Sequence, residues 1–495
     1  MSQLDNIISA SEENWSNIDY IESLNSTEWL NQRTKKIVKT VGIYYPRLHN
    51  GGTERVTARL ANIWAAMGYK VILLTDTAPH ENDYALGPGI NRCFLPPHNE
   101  RYATRGPVLE RILLEEGVDL FVSNLYYDSC TTWDLLVAKS LGIPVIIGWH
   151  SVFHGAIDTL YALNQLKFSL AGFRYADLVT TLSSMDQFWF SAQGLAARLV
   201  HNPQTFDQLP QNTASLASKT LLFLGRVEIA QKQIDQIISI MPLVLQSVPD
   251  ARLIVVGDGS SRQDAADLAR SLGVDKSVEF LGYKADVAPY IQASAVHVMA
   301  SDFEGAPMAL AEVWAYGVPT VMYNLEYLEY LSVGKGFIGV ELGDTHALAA
   351  AIIKVLSDDQ LRLALGREAR DVAQYFFDIR IDESWRRVFQ DIETCDDLCD
   401  PVPPARVHDL AVQATRQMTA KVFAVSERLA SKPTLANLPP EPDSLSPHLE
   451  AGLTNPLPRA RIFWRGSIIA TLFGLGRLFI PAGQRQMVKR LFGLA

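Results

Sequence analysis

Two glutamates, Glu304 and Glu312, interrupt a stretch that is otherwise almost wholly apolar, residues 301–319, which reads SDFEGAPMALAEVWAYGVP. A carboxylate among apolar neighbours carries a desolvation cost that only a partner offsets. The short run 295–300 reads as a buried strand, and Glu304 and Gly305 break it. Pro307 sits where a helix starts and Gly317 where it stops. A loop that runs into a helix N-terminus presents free backbone N–H groups, which suit a phosphate. Carboxylates beside such a place can accept hydrogen bonds from the hydroxyls of a sugar. Elsewhere, Gly51 and Gly52 open a helix directly after a strand, where glycine lets a backbone approach a phosphate closely. His150 ends another strand, and such strand ends face the crevice in which α/β sheets bind ligands. His154 is near enough to be the alternative.

These residues need a scaffold, and the chain between 37 and 392 supplies an alternation of strands and helices. Strands are expected at 38–45, 70–75, 120–123, 144–148 and 176–183, with helices at 56–67, 108–116, 132–141 and 156–174 between them. A polar stretch, 204–219, carries Pro210 and reads as a linker. A second alternation follows, with strands at 221–224, 252–256, 278–281, 295–300 and 320–323. Its helices are expected at 234–248, 262–272, 287–293, 346–356 and 361–376. Arg226 and Lys232 follow the first of these strands, and Gly257-Asp258-Gly259-Ser260 follows the second. That glycine turn alone would suit a dinucleotide no better than any other tight turn.

Taken together, Glu304 and Glu312 with Gly305, Pro307, Gly317 and Pro319 resemble the E-x7-E segment of retaining glycosyltransferases of the GT-B fold, family 4. Gly225-Arg226 with Lys232, the Gly51-Gly52 loop, His150, and the segment 176–183 resemble that family too. The resemblance spans roughly 37–392. It implies an α/β chain of GT-B type, two Rossmann-like domains facing across a cleft. The acceptor domain is expected at 37–200, the nucleotide-sugar domain at 201–375, and a helix crossing back to the first domain at 376–400. It implies that Arg226 and Lys232 hold the diphosphate of a UDP- or GDP-sugar and that Glu312 takes the ribose hydroxyls. Glu304, with the backbone of Gly305, Ala306, Pro307 and Met308, would position the sugar. His150 would touch that sugar, and Gly51 and Gly52 the diphosphate. Two departures stand out. Gln233 replaces the glycine that commonly follows the lysine, and Ala306 stands where an aromatic residue is common. Departure of a nucleoside diphosphate develops negative charge, which preorganised cations stabilise. Two cations and a helix N-terminus supply that charge, so no metal and no cofactor are expected. Three rivals compete: a glycosidase using the two glutamates as acid and base, a sugar-nucleotide epimerase, and an inactive scaffold of a polysaccharide-assembly complex. The first explains neither cation nor the glycine loop.

The chain has 495 residues, more than one core holds, and a net charge of −10, which argues against nucleic acid as a partner. Cys93, Cys130, Cys395 and Cys399 form no zinc pattern and read as reduced thiols in a cytoplasm. No signal peptide and no run of 18 apolar residues is visible. Residues 1–36 form an acidic extension, 401–458 a helix and a proline-rich linker, and 459–495 an apolar tail with seven cations and no acid. Such a tail is expected to lie on an anionic membrane at the inner face, where a lipid-linked or glycan acceptor is met, the alternative being a helix that packs back onto the acidic body or onto another subunit.

Overall fold

The computed structural model describes residues 37–97, 102–126, 129–153, 155, 173–192 and 194–394. The expectations for 1–36, for His154, for the helix at 156–174 beyond its last residues, for Cys395 and Cys399, and for 401–458 and 459–495 lie outside them.

Two parallel sheets carry the described chain. The first has seven strands: β1 Thr40–Tyr44, β2 Lys70–Thr75, β3 Ile90–Phe94, β4 Leu120–Ser123, β5 Val145–Gly148, β6 Leu178–Thr181 and β7 Ala197–Leu199. Their order in space is β3-β2-β1-β4-β5-β6-β7. The second has six: β8 Thr220–Leu224, β9 Arg252–Val256, β10 Val278–Gly282, β11 Val296–Met299, β12 Thr320–Tyr323 and β13 Phe337–Val340, in the order β10-β9-β8-β11-β12-β13. The central strands read as continuous apolar runs because helices cover both faces. Every residue of β1, β4, β5, β11 and β12 is buried. The strand order reverses between β1 and β4 in one sheet and between β8 and β11 in the other. Ligands of open α/β sheets bind outside the carboxyl ends at such a reversal. The loops after β1, β8 and β11 therefore occupy the places where a ligand is met. This is the two-domain α/β architecture of the GT-B fold.

Three strands, β3, β7 and β13, were not expected. The sequences of β3 and β7, INRCF and ARL, lack an apolar run, and they form because β2 and β6 offer a parallel edge. The third, FIGV, follows Gly334 and Gly336 and forms on the parallel edge of β12. The single helix expected at 234–248 is two, Ile234–Ser239 and Met241–Ser247. Pro242 lacks the N–H that would continue the ladder, so the second helix restarts with it in the first turn.

Asp177, in the segment 176–183, has a structural task. Its carboxylate accepts from the buried Lys139 ammonium at 2.9 Å and from the Val145 N–H at 2.8 Å, pinning β6 to β5. The stretch 204–219 is anchored along half its length. Ala214 and Leu216 are buried in the second core, and Arg362 donates to the Leu216 carbonyl at 2.8 Å. The helix Ile381–Thr394 returns to the first domain. Its buried stripe, Trp385, Val388, Phe389 and Ile392, joins that core, with the Trp385 ring 4.7 Å from Trp64.

Candidate active site

The loop after β8 is built backbone on backbone. Gly225 donates to the Val256 carbonyl and Val227 to the Asp258 carbonyl, each at 3.0 Å. A Cβ at Gly257 would lie 1.8 Å from the Gly225 oxygen, and one at Gly259 would lie 2.2 Å from the Val227 oxygen. The Gly257-Asp258-Gly259 turn is thus a brace for the loop that carries Arg226 and Lys232. Gln231 ties the same loop to the segment after β11. Its amide donates to the Phe303 carbonyl at 3.0 Å, and its own carbonyl accepts from Asp302 N–H at 2.9 Å.

Lys232 pairs with Glu304 through Oε1, and both side chains are largely buried. Arg226 is exposed, with Glu228 at 3.5 Å. The Glu304 N–H donates to the Tyr327 hydroxyl at 3.0 Å, and burial holds that phenol well above its ordinary pKa. Pro307 caps the helix Met308–Ala315, whose first N–H groups precede any intrahelical partner. Glutamate, helix N-terminus and lysine therefore converge at the carboxyl ends of β8 and β11.

Gln233 adopts φ 47° and ψ 45°, the left-handed region, which explains why glycine suits the position. Its side-chain oxygen is buried without a partner among the described residues. A left-handed non-glycine residue costs about 1–2 kcal/mol, and glycine's freedom in the unfolded chain returns about 0.5–1 kcal/mol. Gln233→Gly is therefore expected to leave stability unchanged or raise it by up to about 1 kcal/mol. Urea unfolding checks this; a clear loss would mean that the glutamine side chain holds the turn.

Glu312 lies inside the helix, buried, and its partner comes from the other domain. Arg55 reaches across from the helix Gly52–Ala66 to Glu312 Oε1, and Arg55 also donates to Thr205 Oγ1 at 3.3 Å. Burial pushes the Glu312 carboxyl up, Arg55 and Thr205 pull it back, and the net shift is upward. Gly51 is extended, so its glycine answers to space. The Glu54 carboxylate folds over it, where a Cβ would meet Oε2 at 2.0 Å, and accepts from Arg47 Nε at 3.0 Å. Gly52 faces the Met308 side chain, 3.6 Å from where its Cβ would be.

His150 follows β5. Its two ring nitrogens are buried, and neither has a partner among the described residues. Gly305 packs on the backbone here, with a Cβ position 2.9 Å from the His150 carbonyl oxygen. A small pocket opens beside this contact, lined by Leu182, His201 and Asn202 from one side and Gly305, Ala306, Glu329 and Tyr330 from the other. The Glu329 carboxylate crosses to the Ser184 N–H at 2.6 Å, at the start of the helix Ser184–Ala192.

The structure thus brings Lys232 to Glu304, Gly52 to Met308, and His150 to Gly305. Arg226 stands apart from the two glutamates' ion pairs. Arg55, Thr205, Tyr327 and Glu329 had no role in the sequence reading. The desolvation of Glu312 signalled a cation, but not which of the 44 lysines and arginines it would be.

Residues 218–358 match the family model described as Glycosyl transferases group 1, and residues 50–203 match Glycosyltransferase Family 4. The chain is a family 4 glycosyltransferase. The first matched segment holds Arg226, Lys232, Glu304 and Glu312, and the second holds Gly51, Gly52 and His150. An uncharacterized glycosyltransferase of Haemophilus influenzae is 23% identical over 71% of this chain and 100% of its own. The phosphatidyl-myo-inositol mannosyltransferase of Mycolicibacterium smegmatis is 24% identical over 66% of this chain and 86% of its own. Among solved structures, Anabaena HepE in complex with UDP and glucose superposes with a TM-score of 0.56 at 17% identity, over 71% of this chain and 100% of that one. Among the described residues of the transferase, no helix is long and apolar enough to cross a membrane, and no group of three His, Cys, Asp or Glu residues could hold a metal ion.

Burial pushes the His150 imidazole down to about 4, so it is neutral at pH 7. The unfolded chain takes up this proton near pH 6.5, whereas the folded chain resists until about 4. The linked stability is complete above pH 6.5 and is lost as pH falls, by about 2 kcal/mol at pH 5. His297, pushed down to about 3, acts in the same direction, while Asp186, pushed up to about 7 by burial, acts in the opposite one. The difference between variant and parent isolates the term. Urea unfolding at pH 7 and pH 5 should therefore show a smaller acid loss in His150→Asn than in the parent. An equal loss would show that the imidazole is not held neutral.

Proposed function

We propose that this transferase moves a hexose, with retention of anomeric configuration, from a UDP- or GDP-sugar to a glycan or lipid-linked acceptor in polysaccharide or glycolipid synthesis. The observation that carries this reading is the Lys232–Glu304 pair beside the N-terminus of Met308–Ala315, at the strand-order reversal. Lys232 and the first-turn N–H groups would take the diphosphate, with Arg226 at the mouth supplying a second cation. Glu304 would hold sugar hydroxyls, and Glu312 the ribose. The neutral His150 ring has a donor and an acceptor to offer the sugar. As the bond from the anomeric carbon to the diphosphate oxygen breaks, the acceptor oxygen bonds to that carbon on the same face. Its proton passes to a phosphate oxygen. Arg226 and Lys232 would balance the departing charge, so the reaction would need no metal. Glucose and UDP in the HepE complex, and the lipid acceptor in the mannosyltransferase's name, favour these donor and acceptor classes.

Incubation with a panel of UDP- and GDP-sugars tests the reading, with and without chelator. Release of nucleoside diphosphate, unaffected by chelator, is expected, and NMR of a trapped product should show the donor's anomeric configuration. Release of free sugar from an oligosaccharide would indicate a glycosidase, and no release from any donor would leave the scaffold reading. For the basic tail, residues 459–495, the full chain should sediment with anionic vesicles at low salt and less at high salt. A chain ending at Pro458 should not. Equal sedimentation of the two would remove the membrane role.

A further inference from the structure

Arg55 is three residues beyond Gly52, yet its guanidinium makes no bond within its own helix surface that would account for its burial. It points into the second domain, against Glu312 and Thr205, and its carbon lies 4.9 Å above the Tyr84 ring. One turn further along the same helix, Arg59 reaches Asp207 at 2.8 Å. The two arginines share a face, as i and i+4 must. That face therefore docks on the linker and on the helix that carries Glu312.

The two contacts differ in kind. Asp207 is 89% exposed, so Arg59 makes a surface pair of small worth. Glu312 is 5% exposed and sits among apolar residues, so its charge depends on one cation. Two other ionisable groups that feel the Glu312 charge, Tyr316 and Tyr330, are phenols, which are neutral or anionic and supply no positive charge. Arg55 itself stays charged, because Glu312 and Tyr84 together outweigh the burial that works against it.

We propose that Arg55 is a positioning residue: it holds Glu312 as an oriented carboxylate and so couples the glycine loop of the first domain to nucleotide binding on the second. The inference rests on the assignment of Glu312 to the nucleotide. Through Arg55, a nucleotide that draws on Glu312 also feels the placement of Gly51 and Gly52, which lie at the start of the same helix. The coupling passes through one ion pair, and so it is measurable by removing either member.

Calorimetric titration of the full chain with UDP and with GDP tests this. Arg55→Met should weaken the preferred nucleotide by about 10- to 100-fold, the range of a hydrogen-bonded charge lost from a buried site. Arg55→Lys should recover part of the loss. In a Glu312→Gln background, Arg55→Met should change affinity by less than about twofold, because the carboxylate it serves is gone. Arg59→Ala, which loosens docking but spares the Glu312 cation, should retain affinity. Undiminished affinity in Arg55→Met, losses that multiply in the double variant, or an equal loss in Arg59→Ala would each overturn the proposal. Should Arg55→Met fail to fold, Arg55→Lys alone and with Glu312→Gln gives the same comparison. A parent chain that binds neither nucleotide would overturn the reading of the site itself.

Discussion

Lys232→Ala is expected to slow nucleoside diphosphate release by about 10- to 150-fold, the rate equivalent of about 1.5–3 kcal/mol for a charge-assisted hydrogen bond. Two losses add up in this variant. The departing diphosphate loses its buried cation, and Glu304 is left inside the site without its partner. The exposure of the two cations ranks them. Lys232 is 21% exposed and Arg226 56%, so solvent already screens the arginine, and Arg226→Ala should cost less than Lys232→Ala. Steady-state rates for both variants, with melting curves to confirm folding, decide the matter. A Lys232→Ala rate within twofold of the parent would take the lysine out of the reaction, and a larger loss for Arg226→Ala would reverse the ranking.

Gly305→Ala is expected to lower turnover by about 100-fold, because misplacement by about 1 Å in a reacting geometry has that cost. The added methyl would meet backbone on every side: His150 O at 2.9 Å, His150 C and Ser151 Cα at 3.1 Å. Backbone cannot swing aside as a lysine tip can, so the Glu304 loop and the His150 loop must separate. Each sheet keeps its own core, so the melting temperature should change little and nucleotide affinity less than tenfold. Gly87→Ala, at a glycine with no place in the site, is the control. Its methyl would meet only the tip of the Asn62 side chain, at 3.3 Å, and activity should stay within a few-fold. Equal losses in the two variants would show that the close approach at Gly305 is not what sets the geometry.

Much of the architecture was legible because its signals are local. The central strands are short apolar runs between glycine and proline, and β2, β4, β9 and β12 fall at the expected residues. The edges were not legible. INRCF carries no strand pattern of its own and pairs only because β2 is beside it. The break at Pro242 was legible in principle, and the apolar periodicity on both sides concealed it.

Within the site, residue types and chain spacing identified a loop at a helix N-terminus, two carboxylates that needed partners, and cations at a strand end. Those are properties of neighbours in sequence, where propensity and desolvation act on a few consecutive residues. Tertiary structure alone decided the pairing. Lys232 meets Glu304 across 72 residues, and Arg55 meets Glu312 across 257. The second distance runs from one domain to the other. A buried charge requires a partner but does not specify one; the packing of the Gly52–Ala66 helix against the Met308–Ala315 helix makes that choice. The same holds for Gly305, whose need for glycine comes from a backbone 155 positions earlier in the chain, at His150.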